Sequence, residues 1–278
     1  MSERTELESL GEFGLIERLT QPHTREIKNN STILSVGDDA ACLEYKDKVV
    51  LVSTDIMTEG VHFDMVYTPL KHLGYKACVV NFSDIYAMNA RPKQITISLA
   101  VSNRYSVEAL EELYAGIYLA CEKYGVDVVG GDTTSSAAGM FLSITVIGEA
   151  EKEKVVKRNG AKPYDLLCVT GDLGAAYAGL LVLQREKAAF MVNPNSQPQL
   201  KDYEYEVGRQ LKPEAQKKII DFFEQEGILP TSMIDISDGL ASEALHICKQ
   251  SEVGCEIYLE KLPVDYRTSK TFEEFKIL

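Results

Sequence analysis

The stretch VGDDAACLEYKDKVVLVSTDIMTEGVHFD, residues Val36–Asp64, places three acids beside an apolar run. Its centre, Lys48–Asp55, is rich in β-branched residues and predicts a buried strand. Asp55 is the last residue of that strand, and Asp38 and Asp39 precede the apolar residues Ala40–Leu43. Burying a carboxylate without a partner is costly, so these acids need partners that the stretch itself does not supply. Further acids beside apolar segments occur along the chain.

The composition is that of an acidic globular protein. The chain has 278 residues, 45% of them hydrophobic, and a formal net charge of −13. This charge argues against non-specific nucleic-acid binding, which depends on Lys and Arg at phosphates. The six cysteines form no C-x-x-C pair, and neither a signal peptide nor a membrane span is apparent. We expect a cytoplasmic protein that binds neither nucleic acid nor membrane.

Residues 1–150 predict one domain of mixed α and β structure, with helices on one face of a sheet. Thr68 and Pro69 can cap and open the first helix. Ser106 can cap the second helix, and Gly125 can follow its last turn. The expected order is β-α-β-α-β-β, with elements at Lys48–Asp55, 69–88, Gln94–Val101, 106–125, 126–131 and 140–150.

Residues 151–278 predict a second, smaller α/β domain. We expect it to lack its C-terminal part, because the chain stops in TFEEFKIL without a closing strand or helix. Apolar runs predict its strands, and amphipathic segments predict its helices. The expected strands are 166–171, 232–237 and 255–260, and the expected helices are 172–184, 212–226 and 238–250.

Asp84 is the most informative single acid. In the first predicted helix, Leu73, Ala77, Val80 and Asp84 recur at three- and four-residue spacing and share one face. An acid on a buried stripe requires an ion pair, a proton or a metal ion. An ion pair with Arg91 and a functional role therefore both remain open.

Two further motifs follow predicted strands. GGDTT places Asp132 after two glycines, at a strand end where α/β proteins bind ligands; a plain turn is the alternative. IDISDGL alternates Ile with Asp235 and Ser237, and Asp238 then opens a turn into a helix. An N-cap explains Ser237 or Asp238, but it does not explain Asp235.

Convergence of these acids would require cations. Four or more neighbouring carboxylates would repel one another, so that some would protonate unless a cation were bound. Oxygen ligands without His or Cys favour Mg²⁺ over Zn²⁺. Mg²⁺ prefers phosphate, so we expect a polyphosphate held by several ions, with Arg158 as the direct cation.

The motifs resemble, in their order, those of the thiamine-monophosphate kinases, which belong to the aminoimidazole-ribonucleotide-synthetase-like ATP-binding superfamily. The resemblance covers the chain from Gly11 to about Pro263. Each motif alone is a weak signal, but the order in which they occur together is specific to the family. They are GEFGLIERL, VGDDAA, STDIMTEGVHF, VNFSDIYAMNARP, GGDTT, RNGAKPYD with VTGDLG, and MIDISDGL.

The resemblance implies transfer of the ATP γ-phosphate to thiamine monophosphate, giving thiamine diphosphate and ADP. It also implies a homodimer formed by the N-terminal domains. His62 is expected near thiamine monophosphate, and Gly131, Asp132, Arg158 and Ser237 near ATP. The Mg²⁺ ligands implied by the resemblance are Asp39, Ser53, Thr54, Asp55, Asp84, Asp132, Asp235 and Asp238.

The expected mechanism is direct in-line transfer without a general base, because the acceptor phosphate is ionised near neutral pH. Family members continue with a Gly-Gly-Glu-Asp-Tyr-like segment and a late aromatic residue, which this chain lacks. We therefore expect a C-terminally truncated member whose own activity is open. The alternatives are another enzyme of the superfamily, such as aminoimidazole ribonucleotide synthetase or selenophosphate synthetase, and a non-catalytic nucleotide-binding module or maturation factor.

Overall fold

The computed structural model describes residues 30–35 and 37–277, together with Gly14. The motif at residues 11–19 lies outside this range except for Gly14. The strands are β1 Thr32–Leu34, β2 Ala41–Tyr45, β3 Lys48–Thr58, β4 Arg91–Val101, β5 Asp127–Ser135 and β6 Met140–Glu151. The α-helices are α1 Leu70–Ala87, α2 Val107–Tyr124, α3 Ala175–Val192, α4 Glu204–Leu211, α5 Lys217–Glu226, α6 Leu240–Ser251 and α7 Tyr266–Glu274.

The six strands form one mixed sheet in the order β1-β2-β3-β6-β4-β5. β4 and β5 run parallel, and the other neighbouring pairs run antiparallel. From β3 to β6 the chain follows the predicted β-α-β-α-β-β order, and β1 and β2 extend the sheet at one edge. The mixed α/β class is therefore confirmed.

One face of the sheet is covered by α1 and α2. Alternate residues of the strands project to this face, and those of β4 and β6 are apolar and buried. On the helix side, α1 buries Leu73, Ala77 and Phe82 against them. The buried strand residues are Ile95, Ile97, Leu99, Leu142, Ile144 and Val146.

The opposite face, which we call the open face, is not covered by any described helix. Ile56, Ser98, Asp132 and Phe141 project from it and are exposed. The pairing register fixes this common orientation, because Asp132 lies opposite Ser98, and both Ser98 and Ile56 lie opposite Ser143.

The helix termini follow the sequence in part. The Ser106 hydroxyl accepts the Ala109 N–H (3.2 Å), and Gly125 ends α2 in the left-handed region at φ 73°. The expected Thr68 cap of α1 is wrong: Pro69 is the N-cap residue, and Thr68 Oγ1 accepts the Asp64 N–H.

The strands expected after residue 151 are not formed, so this prediction was wrong. Segments 166–171, 232–237 and 255–260 form no strand in the described structure. Apolar composition predicted them, but a strand also needs a neighbour for its backbone N–H and C=O groups, and no ladder reaches these segments. The helices are formed with shifted bounds: α3 begins at Ala175 and α5 begins at Lys217. Neither α4 nor α7 was expected, and α7 corrects the expectation that no helix forms at the end of the chain, because it includes the first four residues of TFEEFKIL.

None of the described helices has the length and apolarity to cross a membrane.

The approach of α1 to α2 depends on two glycines. A Cβ at Gly74 would lie 2.0 Å from the Leu113 carbonyl oxygen, and one at Gly116 would lie 1.9 Å from that of Lys71. Each helix therefore packs against the backbone of the other. This close contact fixes α1 and, with it, the position of Asp84.

Gly116→Ala should lower the free energy of unfolding by more than about 2 kcal/mol, because the new methyl group overpacks a backbone contact. The matched control is Gly208→Ala in α4, where a Cβ would meet nothing within 4 Å. It should be neutral or stabilise by up to about 1 kcal/mol. Urea denaturation measures both, and equal effects of the two substitutions would contradict the packing argument.

Candidate functional site

Three carboxylates from distant parts of the chain meet at one place. Asp39 precedes β2, Asp84 lies on α1, and Asp235 precedes α6. One oxygen of each lies within 4.8 Å of one oxygen of the other two. We call these three residues the acid cluster. Asp39 is buried, and the other two are half-buried.

Asp84 is placed by α1 over the middle of β3. The Ser53 hydroxyl donates to Asp84 Oδ2 (2.7 Å). Burial and, after it, the charges of Asp235 and Asp55 together raise the pKa of Asp84 to about 9, while the hydrogen bond from Ser53 acts in the opposite direction. The alternative of an ion pair with Arg91 is wrong, because Arg91 pairs with carboxylates of α5, at Asp221 and Glu224.

Asp235 is influenced by the same neighbours. Burial, followed by the charge of Asp39, raises the pKa of Asp235 to about 7, while a hydrogen bond from Ser83 acts in the opposite direction. Two raised carboxyl pKa values at one site mean that the folded chain holds protons there near neutral pH. A divalent cation would replace those protons, and the clustered carboxylate oxygens are the ligands that Mg²⁺ prefers.

Arg158 forms an ion pair that the sequence did not predict. Its Nε donates to Asp39 Oδ2 (3.1 Å) and its Nη2 donates to Asp39 Oδ1 (2.7 Å), a two-pronged arrangement that fixes both side chains. Its backbone N–H donates to Asp38 Oδ2 (3.2 Å). Asp39 and Arg158 were expected as a metal ligand and an ATP contact. In this structure they hold each other, and within the described part of the chain Arg158 Nη1 donates no hydrogen bond.

Several residues that support the site were not found from the sequence. Ser232 and Ser251 donate their hydroxyls to the Arg158 carbonyl oxygen (2.7 and 3.1 Å). Asn81 is buried on α1 and accepts the Asp55 N–H through Oδ1 (3.1 Å). A polar residue on the apolar stripe, three positions before Asp84, was the signal that could have identified Asn81.

Thr54, Gly131 and Asp132 are not brought to the acid cluster in a single chain. Thr54 donates to the Ile144 carbonyl oxygen (3.1 Å), and Asp132 projects from the open face. Three strand spacings separate Asp132 from β3, which is about 14 Å. Gly131 is required by packing, because a Cβ there would lie 2.1 Å from the Ile97 carbonyl oxygen.

Ser237 and Asp238 lie exposed in the turn before α6. The Asp238 N–H donates to Oε1 of the buried Glu243 (3.2 Å). Gly239 has φ 136°, a conformation that only glycine adopts readily. Glu243 and Gly239 together hold the turn and therefore the position of Asp238.

His62 lies away from the acid cluster, in the loop after β3. Its Nδ1 accepts the Thr58 N–H (2.9 Å). Its ring lines a cavity of about 340 Å³ between this loop, α1, α3 and α4. The acid cluster is not part of the lining of that cavity.

Comparison with known proteins identifies the family. Residues 37–150 match the model of the AIR synthase related protein, N-terminal domain. The thiamine-monophosphate kinase of Bacillus subtilis (strain 168) is 35% identical over 271 residues, which are 96% of this chain and 79% of that protein. The enzyme of the same name from Aquifex aeolicus (strain VF5) is 35% identical over 270 residues, 97% of this chain and 80% of that protein.

This chain belongs to the thiamine-monophosphate kinase family. A solved structure described as AaThiL complexed with AMPPCP and TMP matches with a TM-score of 0.83 at 35% identity, covering 99% of this chain and 81% of that one. The family resemblance, the kinase class and the mixed α/β fold expected from the sequence are therefore confirmed.

Asp84→Asn should stabilise the metal-free protein at alkaline pH. In the unfolded chain Asp84 titrates near about 3.9, whereas in the folded chain its pKa is raised to about 9. Stability is therefore lost as pH rises from the first value towards the second. The amide cannot ionise, so the melting temperature should rise by about 2–4 °C or more at pH 8.5 and by less at pH 5.5.

Thermal melts in EDTA measure this difference. Asp47→Asn, in the exposed turn between β2 and β3, is the matched control and should show no gain that grows with pH. A melting temperature that Asp84→Asn lowers equally at both pH values would contradict the assignment.

Proposed function

We propose that this chain transfers the γ-phosphate of ATP to thiamine monophosphate, giving thiamine diphosphate and ADP. Family membership suggests the reaction, and the observation that carries the proposal for this chain is the convergence of Asp39, Asp84 and Asp235. A related structure at 35% identity is complexed with AMPPCP, an ATP analogue, and TMP. A polyphosphate substrate and a cluster of carboxylates fit each other only with cations between them.

Mg²⁺ fits the donor set of the acid cluster. Asp84 and Asp235 would hold it, since their raised pKa values reflect the protons that a cation replaces. Ser53 hydrogen-bonds to Asp84, and the charge of Asp55 acts on Asp84, so both belong to the same coordination region. When bound, Mg²⁺ screens the repulsion between donor and acceptor phosphates.

The residues of the chain then have separate tasks. Arg158 orients Asp39 and offers Nη1 to a phosphate oxygen. Ser232 and Ser251 fix the backbone of Arg158. No general base is required, because the acceptor phosphate is already ionised, and we propose direct in-line transfer without a phospho-enzyme.

Other expected site residues remain proposals. Ser237 and Asp238 lie on the turn that follows Asp235 and would complete the ATP and metal site, and His62 would contact thiamine monophosphate.

Residues 1–150 would form the ATP-binding and dimerising domain, and residues 151–278 the second domain. Cytoplasmic location likewise stays a prediction.

The deciding experiment is a coupled assay of thiamine diphosphate formation from thiamine monophosphate, ATP and Mg²⁺. It is run on this chain and on one extended at its C-terminus. Product from either supports the assignment. Nucleotide binding without product from both would instead favour a non-catalytic nucleotide-binding module.

Asp84→Asn should reduce kcat by about 10²–10³-fold or more, because it removes a charge that the phosphoryl-transfer site needs. Circular dichroism should show an intact fold. Asp47→Asn is the control and should keep the wild-type rate. Full turnover by Asp84→Asn would remove Asp84 from the site.

We further propose that two copies of the chain pair through the open face. Val52, Ile56, Ile147 and Phe141 give this face apolar area, and small hydroxyl residues separate them. Burying that area against a second copy would be favourable. Thr54, Gly131 and Asp132 would then lie at or near the dimer interface.

Ile56→Lys should shift the chain from dimer to monomer in sedimentation velocity, because the interface would bury an unpaired charge. Ile56 is 55% exposed in the single chain, and Tyr118 on α2 is 56% exposed. Tyr118→Lys is therefore a control matched in exposure, and it should leave the dimer intact. Dissociation caused by both substitutions, or by neither, would argue against the open face.

A further inference from the structure

Two cysteine thiols meet at the C-terminal end of α6. Cys248 lies in the last turn of this helix, and Cys255 lies in the segment that leaves it. The two thiols are hydrogen-bonded to each other, and burial, followed by this hydrogen bond, raises the pKa of the Cys248 thiol. Neither residue is part of a disulfide. We call these two residues the α6 thiol pair.

The backbone after α6 explains why the two thiols meet. Glu252 follows the helix in the left-handed region at φ 55°, which reverses the direction of the chain. The Cys248 carbonyl oxygen accepts the N–H of Glu252 and that of Val253, the second at 3.0 Å. The chain therefore returns to the level of Cys248 only two residues before Cys255. Local backbone hydrogen bonds thus hold the pair together.

Access to solvent distinguishes the α6 thiol pair from the other cysteines, all of which lie in the described part of the chain. Cys255 is exposed, so a dissolved reagent can reach it. Cys78 and Cys121 also make a thiol–thiol contact, but they are buried, with 0% and 4% of their surface exposed. Cys168 is exposed, but its thiol donates to the Leu166 carbonyl oxygen (3.8 Å). Contact with a second thiol and access to solvent coincide at the α6 thiol pair.

The helical turn that carries Cys248 also holds the loop of residues 158–161, which we call the Arg158 loop. Ser251, in the same turn, accepts the N–H groups of Gly160 and Ala161 (3.0 and 3.2 Å). Its hydroxyl donates to the Arg158 carbonyl oxygen (3.1 Å). A change in the last turn of α6 is therefore transmitted to the backbone of Arg158.

We propose that the α6 thiol pair is a redox-active site, which a small disulfide such as oxidised glutathione converts to an internal disulfide, and that this bond tightens the turn of α6 that holds the Arg158 loop. Thiols that already contact each other need only a small movement to form a bond. The proposal goes beyond the proposed kinase function and does not rest on it, because neither thiol belongs to the acid cluster or to the expected substrate contacts.

The exchange balances in two steps. The thiolate of the exposed Cys255 attacks one sulfur of oxidised glutathione, so that a mixed disulfide forms and one glutathione thiolate leaves. The Cys248 thiolate then attacks the Cys255 sulfur, the internal disulfide forms, and the second glutathione thiolate leaves. The two protons of the protein thiols pass through solvent to the departing thiolates. The two electrons end on two molecules of reduced glutathione, and an excess of reduced thiol reverses both steps.

Treatment of the folded full chain with oxidised glutathione at pH 8 tests the proposal, followed by alkylation in denaturant and mass spectrometry. Trypsin cuts after Lys249, between the two cysteines. The internal disulfide should therefore join two peptides, with a mass about 2 Da below their sum. Cys168 should keep its glutathione, Cys78 and Cys121 should be recovered reduced, and dithiothreitol should reverse the cross-link.

Cys248→Ser removes the thiol that acts in the second step, so glutathione should remain on Cys255. The yield of this adduct should rise about tenfold or more over wild type, where the neighbouring thiol acts at a millimolar or higher effective concentration. Cys168→Ser is the matched control and should leave the yield of the cross-link unchanged. A wild-type chain in which Cys255 keeps its glutathione, or in which the cross-link forms only in urea, would overturn the proposal. Both outcomes are measured on the wild-type chain, so neither depends on the folding of a variant.

Hydrogen exchange of the Gly160 and Ala161 amides tests the effect on the Arg158 loop, because both amides donate to Ser251. Cys168→Ser is used here, so that no glutathione adduct at that position contributes. Exchange should slow when the α6 thiol pair is oxidised and should return to its first rate after reduction. Equal rates in the two forms would overturn the proposed tightening of the turn.

Discussion

Repulsion between carboxylates held together out of bulk water is the constraint on which this structure is built. Asp84 and Asp235 lie within 4.8 Å of each other and of Asp39. Burial and mutual charge raise the pKa of Asp84 to about 9 and that of Asp235 to about 7. Such an arrangement costs free energy when the carboxylates ionise without a cation, and it becomes favourable when a cation takes the place of the protons. The surrounding fold has to be rigid enough to impose it.

The rigidity of the elements that carry the acids comes mainly from contacts made by their backbones. α1 carries Asp84, and Gly74 lets α1 approach the backbone of α2 so closely that a Cβ would lie 2.0 Å from a carbonyl oxygen. The Arg158 backbone is similarly held by two serine hydroxyls. Arg158 in turn fixes Asp39 through two hydrogen bonds. Each acid is thus positioned by a separate element whose own freedom is small.

The sequence predicted elements correctly where the spacing of apolar residues reflects which side chains are buried. The run at Lys48–Asp55 became β3, and the apolar stripe that contains Asp84 became the buried face of α1. The prediction of strands from apolar residues failed for segments 166–171, 232–237 and 255–260. A strand needs a second strand to pair with, and that strand can lie anywhere in the chain. The hydrophobicity of a segment does not identify its pairing partner.

By itself the sequence determined the α-β alternation of residues 48–151 and the family, and it named the candidate acids, because ordered motifs and hydrophobic period are local properties. Only the tertiary structure decided which acids meet. It joined Asp39 to Arg158 across 119 positions, and it separated Asp132 from the acid cluster by turning it to the open face. The reason is physical: pairing and orientation depend on register and helix packing, which bring together residues that are far apart in the chain.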